Sequence, residues 1–329
     1  MQRILIIQTA YIGDVILSTA LAEKLHQQYP QATVDYVVRK GVKSVLETAP
    51  YIDRIIEWDK SRGKYSALNQ VIRAVREHTY DLSINLQRYA SSGLISFLAR
   101  ANEKRGYTKN PLSFHYNEKF GHTIGDGTHE VDRNHRIITS LTDPQAARPK
   151  IYFSDQDQQT VKPLSEGQYI TIAPTSVWFT KQFPQNRWVE FLNQLTFDGD
   201  VFLIGGPNDA QFCQEIIEQS SCDRMTNLCG KLGLRESALL MRDASMNYMN
   251  DSGPLHLASA VNAPTTAVFC STVPRFGFGP LADNAVVVET EQHLDCRPCG
   301  LHGHKACPKG HFDCANTIEI KQLLDRASE

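Results

Sequence analysis

The chain has 329 residues, 41% hydrophobic and 21% charged, with a formal net charge of −2. That balance excludes a disordered chain and gives no general footing for nucleic acid, and the length suits two domains of roughly 150 residues better than one. The near-neutral total hides an asymmetry. Residues 1–150 carry 21 Lys and Arg against 15 Asp and Glu, a net of +6, while residues 151–329 carry 13 against 21, a net of −8. A basic N-terminal half suits an anionic substrate or a phosphate-rich surface.

No apolar run reaches the ~18 to 20 residues that cross a bilayer, and the chain enters a strand-like run directly after Met1-Gln2. With no signal peptide read there, a cytoplasmic protein is expected. Residues 3–8 (RILIIQ) form a short β-rich run ending at a turn with Gly13-Asp14. Helical spacing follows at Leu17, Leu21 and Leu25 over residues 15–29, stopped by Pro30. Strands are predicted at 33–38, 54–57, 82–85 and 104–107, and helices at 42–48, 65–78 and 91–99. Such alternation is the signature of a parallel doubly wound sheet, here a Rossmann-like domain over residues 1–150. Residues 108–129 show no period and read as a mobile loop on the substrate side. A helix is expected at 132–141, and residues 142–165, with Pro144, Pro149 and Pro163, read as an interdomain linker.

A second alternation fills residues 151–329. Strands are expected at 169–173, 201–204, 225–228, 246–249 and 265–269, with helices at 185–195, 209–220, 234–241 and after Pro254. Two Rossmann-like halves predict a cleft between them, with ligands beyond the carboxyl ends of the strands.

Four stretches carry chemistry. At Gly13-Asp14 the glycine lets a ligand approach, and Asp14 either caps the helix or takes a proton from a substrate hydroxyl. No G-x-G-x-x-G follows the first strand, which counts against a dinucleotide site there. Residues 173–184 bring Thr175, Ser176, loop N–H groups and Lys181, the parts that hold a diphosphate without a metal; a hydroxyl-rich loop with a solvated lysine is the equal alternative. Gly205-Gly206 reads as a tight turn sooner than a nucleotide contact. In Asn250-Asp251-Ser252-Gly253-Pro254, Asp251 or Ser252 can cap a helix, Gly253 permits close approach and Pro254 suits the first turn. His256 falls one turn into that helix, near the ligand end; the plain alternative makes Asp251 a cap and His256 a surface residue.

Of eight cysteines, Cys213, Cys222, Cys229 and Cys270 are scattered and read as small hydrophobes. The other four, Cys296-x2-Cys299-x7-Cys307-x6-Cys314, read as a four-thiolate metal knuckle with His302, His304 and His311 as substitutes. Zinc is favoured over iron, and two disulfides are the alternative. The knuckle precedes a final helix at 317–327 and reads as structural bracing or a partner surface, outside the chemistry.

Together these motifs resemble glycosyltransferase family 9, the heptosyltransferases that build the inner core of lipopolysaccharide. The resemblance runs over nearly the whole chain, through Gly13-Asp14, Pro174 to Lys181, Phe183-Pro184, Trp188, Gly205-Gly206 and Asn250-Asp251-Ser252-Gly253-x-x-His256. Phe183 stands where such enzymes commonly have Trp, and Cys270 interrupts the usual Phe-Gly step. The resemblance implies a GT-B fold and an inverting transfer without a catalytic metal, from an ADP-heptose donor on the C-terminal domain to a lipid-linked core oligosaccharide on the N-terminal one. It implies Asp14 as general base beside Gly13. Thr175, Ser176 and Lys181 would hold the diphosphate, Asp251, Ser252 and Gly253 with His256 the donor sugar and phosphate, and Leu232 the adenine. Arg54, Lys60, Arg62, Lys64, Arg88, Lys104, Arg105 and Lys109 are candidate partners for acceptor anions, two or three of them serving and the rest lying on the surface. Transient contact with the inner leaflet of the membrane is expected, and no nucleic acid. Another nucleotide sugar, or a two-lobed binding protein without catalysis, are the alternatives.

Overall fold

The computed structural model describes residues 1–327, the side chains of Arg62 and Lys64 excepted, so those two acceptor candidates lie outside the described residues. The chain divides into two compact units, one of Met1–Ile124 with Thr128–Tyr152, the other of Gly125–Gly127 with the residues from Phe153 on.

Unit 1 carries β1 (Arg3–Gln8), α1 (Ile12–Gln28), β2 (Thr33–Arg39), β3 (Ile52–Trp58), α2 (Lys64–Val75), β4 (Thr79–Asn85), α3 (Ala90–Leu98), β5 (Arg100–Tyr107), β6 (Glu118–Phe120) and α4 (Glu130–His135). Its strands lie in the order β3-β2-β1-β4-β5-β6, all parallel. Unit 2 carries α5 (Asp155–Val161), β7 (Tyr169–Ala173), α6 (Gln185–Gln194), β8 (Asp200–Leu203), α7 (Ala210–Gln219), β9 (Met225–Asn227), α8 (Leu234–Asp243), β10 (Met246–Asn250), α9 (Gly253–Ala260), β11 (Thr265–Phe269), β12 (Ala285–Glu289), α10 (Asp313–Asn316) and α11 (Ile320–Leu324). Its sheet repeats the plan as β12-β11-β10-β7-β8-β9, again parallel.

The central strands read as unbroken apolar runs because helices cover both sheet faces; Ile4, Leu5, Ile6 and Ile7 are all fully buried. In each unit the first strand sits mid-sheet, and connections run one way to one side and the other way beyond it. The switch falls between β1 and β4 in unit 1 and between β7 and β10 in unit 2. Adjacent loops diverge there and leave room for a ligand at the carboxyl ends.

Several segments depart from the sequence reading. The helix expected at 42–48 is one 3-10 turn, Lys43–Val45, since a run that short cannot offset the cost of helix nucleation. Residues 108–129 are no bare loop: they contain a 3-10 turn at Ser113–His115 and β6, a three-residue edge strand too short to show a period. The helix expected at 132–141 starts at Glu130 and tightens into a 3-10 turn at Arg136–Ile138. The segment read as linker holds α5, opened by a capping box in which Ser154 Oγ accepts from the Asp157 N–H and Asp157 Oδ2 from the Ser154 N–H. β12 has no separate prediction, the final helix expected at 317–327 is the shorter α11, with Ile320 and Leu323 in the unit 2 core, and α10 is a further short helix at the end of the cysteine segment. That core centres on Phe183, Trp188, Phe191 and Tyr248, ring against ring at 4.8 to 6.2 Å. Cys270 and Cys314 pack into the same core. Among the described residues, no helix is long and apolar enough to cross a membrane.

Candidate active site

In unit 1 the turn after β1 carries Tyr11, the residue that opens α1, followed by Ile12, buried Gly13 and half-buried Asp14. Asp14 stands in the first turn of α1, where the opening N–H groups of Tyr11 and of Asp14 itself favour its charged form. Burial first, and then the neighbouring Glu130 carboxylate, push Asp14 up to about 6 against those N–H groups and His122. Glu130 is buried at the start of α4. Burial alone would raise it too, but His122 Nε2 at 3.1 and 3.2 Å and Arg133 Nε at 2.8 Å hold it below the ordinary carboxylate range. Arg133 is wholly buried and also donates to the carbonyls of Thr123 and Thr128. His122 lies edge-on to Tyr107, 4.5 Å between centroids. One of two neighbouring carboxylates is thus tied down as an anion, and its charge lifts the other.

Unit 2 assembles its polar residues at the β7/β10 switch. The loop after β7 runs through half-buried Thr175 and Ser176 to a 3-10 turn, Phe179–Lys181, and the turn after β10 carries Asp251. Because β7 and β10 are hydrogen-bonded neighbours, Lys181 Nζ reaches Asp251 Oδ2 at 2.7 Å. Thr272, just past β11, donates to the same oxygen at 2.6 Å. Asn250 is fully buried and ties both ends of the 174–183 loop: its amide nitrogen donates to the Pro174 carbonyl at 2.7 Å, and its oxygen accepts from the Phe183 N–H at 2.9 Å.

Neither Asp251 nor Ser252 caps α9. Ser252 occupies the N-cap position without a side-chain cap bond, and Asp251 is turned to Lys181 and Thr272. Pro254 stands in the first turn as expected, and Gly253 opens the helix. His256 is buried, edge-on to Phe278 at 6.4 Å, so the surface alternative does not hold. Leu232 is half-buried in a turn whose Gly230 N–H donates to the Gly205 carbonyl at 2.9 Å, which joins the two glycine turns after β8 and β9.

The basic candidates separate sharply. Arg105 is buried, not superficial: it donates to Glu103, Glu118, Ser140 and the Ile137 carbonyl. Arg54 is held by Glu77 and the Ala74 carbonyl, and Lys104 by the Phe97 carbonyl. Lys60 lies over the Trp58 ring at 4.3 Å. Among the described residues no ion pair is made by Arg88 or Lys109.

The cysteine segment also differs from expectation. Among the described residues no three His, Cys, Asp or Glu side chains are arranged to hold a metal ion. Cys314 is drawn into the hydrophobic core, while Cys296, Cys299 and Cys307 are half-buried and Cys296 Sγ lies 3.9 Å from His311 Nε2. All eight cysteines are free thiols.

A model of glycosyltransferase family 9 (heptosyltransferase) matches residues 68–306, well over half of the chain. The chain belongs to that family. This glycosyltransferase is 26% identical over 307 residues to lipooligosaccharide heptosyltransferase 2 of Haemophilus influenzae, covering 87% of the chain and 88% of the relative. It superposes on a family 9 glycosyl transferase from Veillonella parvula with a TM-score of 0.85 at 22% identity, over 99% and 96% of the two chains. It superposes on the E. coli heptosyltransferase WaaC with ADP-2-deoxy-2-fluoro heptose with a TM-score of 0.74 at 21% identity, over 98% and 99%. The fold of two Rossmann-like units is the GT-B fold of these structures.

Three groups of this glycosyltransferase's candidate site escaped the sequence reading. His122 sits in the stretch without periodicity, and Glu130 and Arg133 fall at the start of a helix expected on spacing alone, with no local pattern that joins the three. Thr272 follows the last predicted strand with no motif of its own. The Gly303-His304 turn lies within the cysteine segment, yet it touches Thr180 beside Lys181. Replacing Asn250 by Ala removes the tie on both loop ends and strands the Phe183 N–H, so thermal or denaturant unfolding of Asn250→Ala is expected to show a loss of about 1–3 kcal/mol.

Proposed function

We propose that this glycosyltransferase moves heptose from ADP-heptose to a hydroxyl of a lipopolysaccharide inner-core acceptor with inversion at the anomeric carbon, Asp14 serving as general base. The observation that carries the reading is the state of Asp14. An ordinary aspartate, with a pKa of about 3.9, is a poor base. One lifted to about 6 by burial and by Glu130 is a markedly better one and remains ionised at neutral pH. The relatives' names supply the sugar and the acceptor class, and the ADP-sugar complex of WaaC supplies the donor.

In the step proposed, the acceptor oxygen bonds to the anomeric carbon as its proton passes to Asp14. The bond from that carbon to the β-phosphate oxygen breaks on the opposite face, and ADP leaves with the electron pair. Lys181 answers the charge that appears on the diphosphate. An ammonium has three donors, so the one spent on Asp251 Oδ2 leaves two for phosphate oxygens. The Thr175 and Ser176 hydroxyls and the first N–H groups of α9 add neutral donors. Lys181 and Thr272 both use Oδ2 of Asp251, and Oδ1 is the acceptor we assign to a hydroxyl of the donor sugar.

The sign of the pH dependence follows. Asp14 is charged above about 6 and protonated below it, so kcat/KM is expected to fall about tenfold per pH unit under that value. Asp14→Asn should lose about 10²- to 10⁴-fold in kcat while still binding ADP. A variant with near-normal turnover, or a rate indifferent to pH across this range, would remove Asp14 from the role.

We infer also that the cysteine segment takes a structural zinc or iron. What supports this is the spacing Cys296-x2-Cys299-x7-Cys307-x6-Cys314 with His311 Nε2 3.9 Å from Cys296 Sγ, so that metal binding would have to draw the four thiols together. Elemental analysis of protein purified without chelator should find about one zinc or iron per chain, lost in Cys299→Ser. Metal-free protein of unchanged stability would contradict it.

A further inference from the structure

Residues 297–304 lie past every residue given a chemical role, yet they are fastened to the two loops that meet at Asp251. On one side is the loop of Lys181. The Thr180 N–H donates to the His304 carbonyl at 3.1 Å, and the His304 N–H donates back to Thr180 Oγ1 at 2.8 Å. Thr180 is fully buried, and its hydroxyl oxygen also accepts from Ser271 at 3.1 Å. The Phe179 ring lies 5.1 Å from that of Phe312, in the same C-terminal stretch.

On the other side is the end of β11. Arg297 donates to three of the four carbonyls of residues 269–272, those of Phe269 at 3.1 Å, Cys270 at 2.7 Å and Thr272 at 2.9 Å, and is itself paired with Glu289. The Cys299 N–H donates to the Ser271 carbonyl at 2.8 Å. Carbonyls at and past the end of a parallel strand lose their ladder partners and need others. One planar guanidinium, donating from Nε and Nη2, satisfies three of them from a rigid fork that the compact point charge of an ammonium does not reproduce. Thr272, whose hydroxyl holds Asp251, has its own carbonyl in that grip.

Gly303 marks how close the contact is. Its φ is +75°, and a Cβ there would stand 2.9 Å from Thr180 Oγ1, 3.1 Å from Lys181 Cγ and 3.4 Å from Ser271 Oγ. Only a residue without a side chain lets the turn lie against the lysine.

We propose that residues 297–304 are a positioning element of the donor site. Arg297 sets the Ser271–Thr272 corner, the Gly303-His304 turn sets Thr180 and Lys181, and between them Lys181 and Asp251 are held where the donor diphosphate binds. This rests on the donor reading above and extends it to a segment that touches no substrate itself.

Gly310 provides a matched control. Its φ is +79° and an added Cβ meets nothing within 4 Å, so Ala costs the same backbone strain there without pressing on any neighbour. Gly303→Ala is expected to raise the donor KM and the Kd for ADP about tenfold or more, with the acceptor KM unchanged, while Gly310→Ala stays within about twofold of the parent. Arg297→Lys, which keeps the charge and loses the fork, should weaken ADP in the same direction. Equal donor KM for the two glycine variants, or an Arg297→Lys protein that loses thermal stability but keeps the parent Kd for ADP, would overturn the inference. Failure of the parent protein to bind ADP would instead overturn the donor reading, and this extension with it.

Discussion

An ion pair between half-buried Lys181 and buried Asp251 ties together three loops of unit 2. Taking a carboxylate out of water is costly, and an ion pair recovers that only with good geometry and further hydrogen bonds. The distances supply both: 2.7 Å between the charges and 2.6 Å from Thr272 to the same carboxylate oxygen. The loops carrying the three residues are then constrained in turn. Asn250 clamps the first loop at both ends, and Arg297 braces the third through its carbonyls. What the ion pair adds is a fixed ammonium with donors to spare at the switch point of the sheet.

Unit 1 holds the residue we propose as the base, Asp14, with its proton affinity raised toward neutrality. It does so with two acids in different surroundings. Glu130 is saturated by His122 and Arg133 and stays an anion, and its charge together with burial lifts Asp14. Arg133 has no exposed surface and donates to two carbonyls besides Glu130, so the anion is held by groups that cannot turn away. Division of labour between paired carboxylates is a recurring way to run acid–base chemistry in one fold.

Much of this was legible in the chain because parallel sheets covered on both faces leave unmistakable apolar runs. RILIIQ and YITIA are strands to the residue, and the loops after them were recognisable by Gly13-Asp14 and by Lys181. The Asn250-Asp251-Ser252-Gly253 corner was recognised, but not its wiring. Local rules make Asp251 a helix cap, and the neighbouring strand β7 brings Lys181 to claim it instead. Short elements were lost for a simpler reason: β6 spans three residues and carries no period. The Glu130 cluster and the Arg297 brace both depend on contacts between segments far apart in sequence, joining α4 to α1 and residue 297 to residue 272, and no pattern within either segment announces them.

The proposed transfer depends first on the Lys181 loop receiving an adenosine diphosphate group. Isothermal titration of ADP, with UDP and NAD as comparators, into the parent protein and into Lys181→Ala tests it. The prediction is saturable binding selective for ADP, weakened about 10- to 100-fold in the variant, the worth of one charge-assisted contact of about 1.5–3 kcal/mol. Equal affinity for ADP with and without the lysine, or no binding of ADP at all, would contradict it.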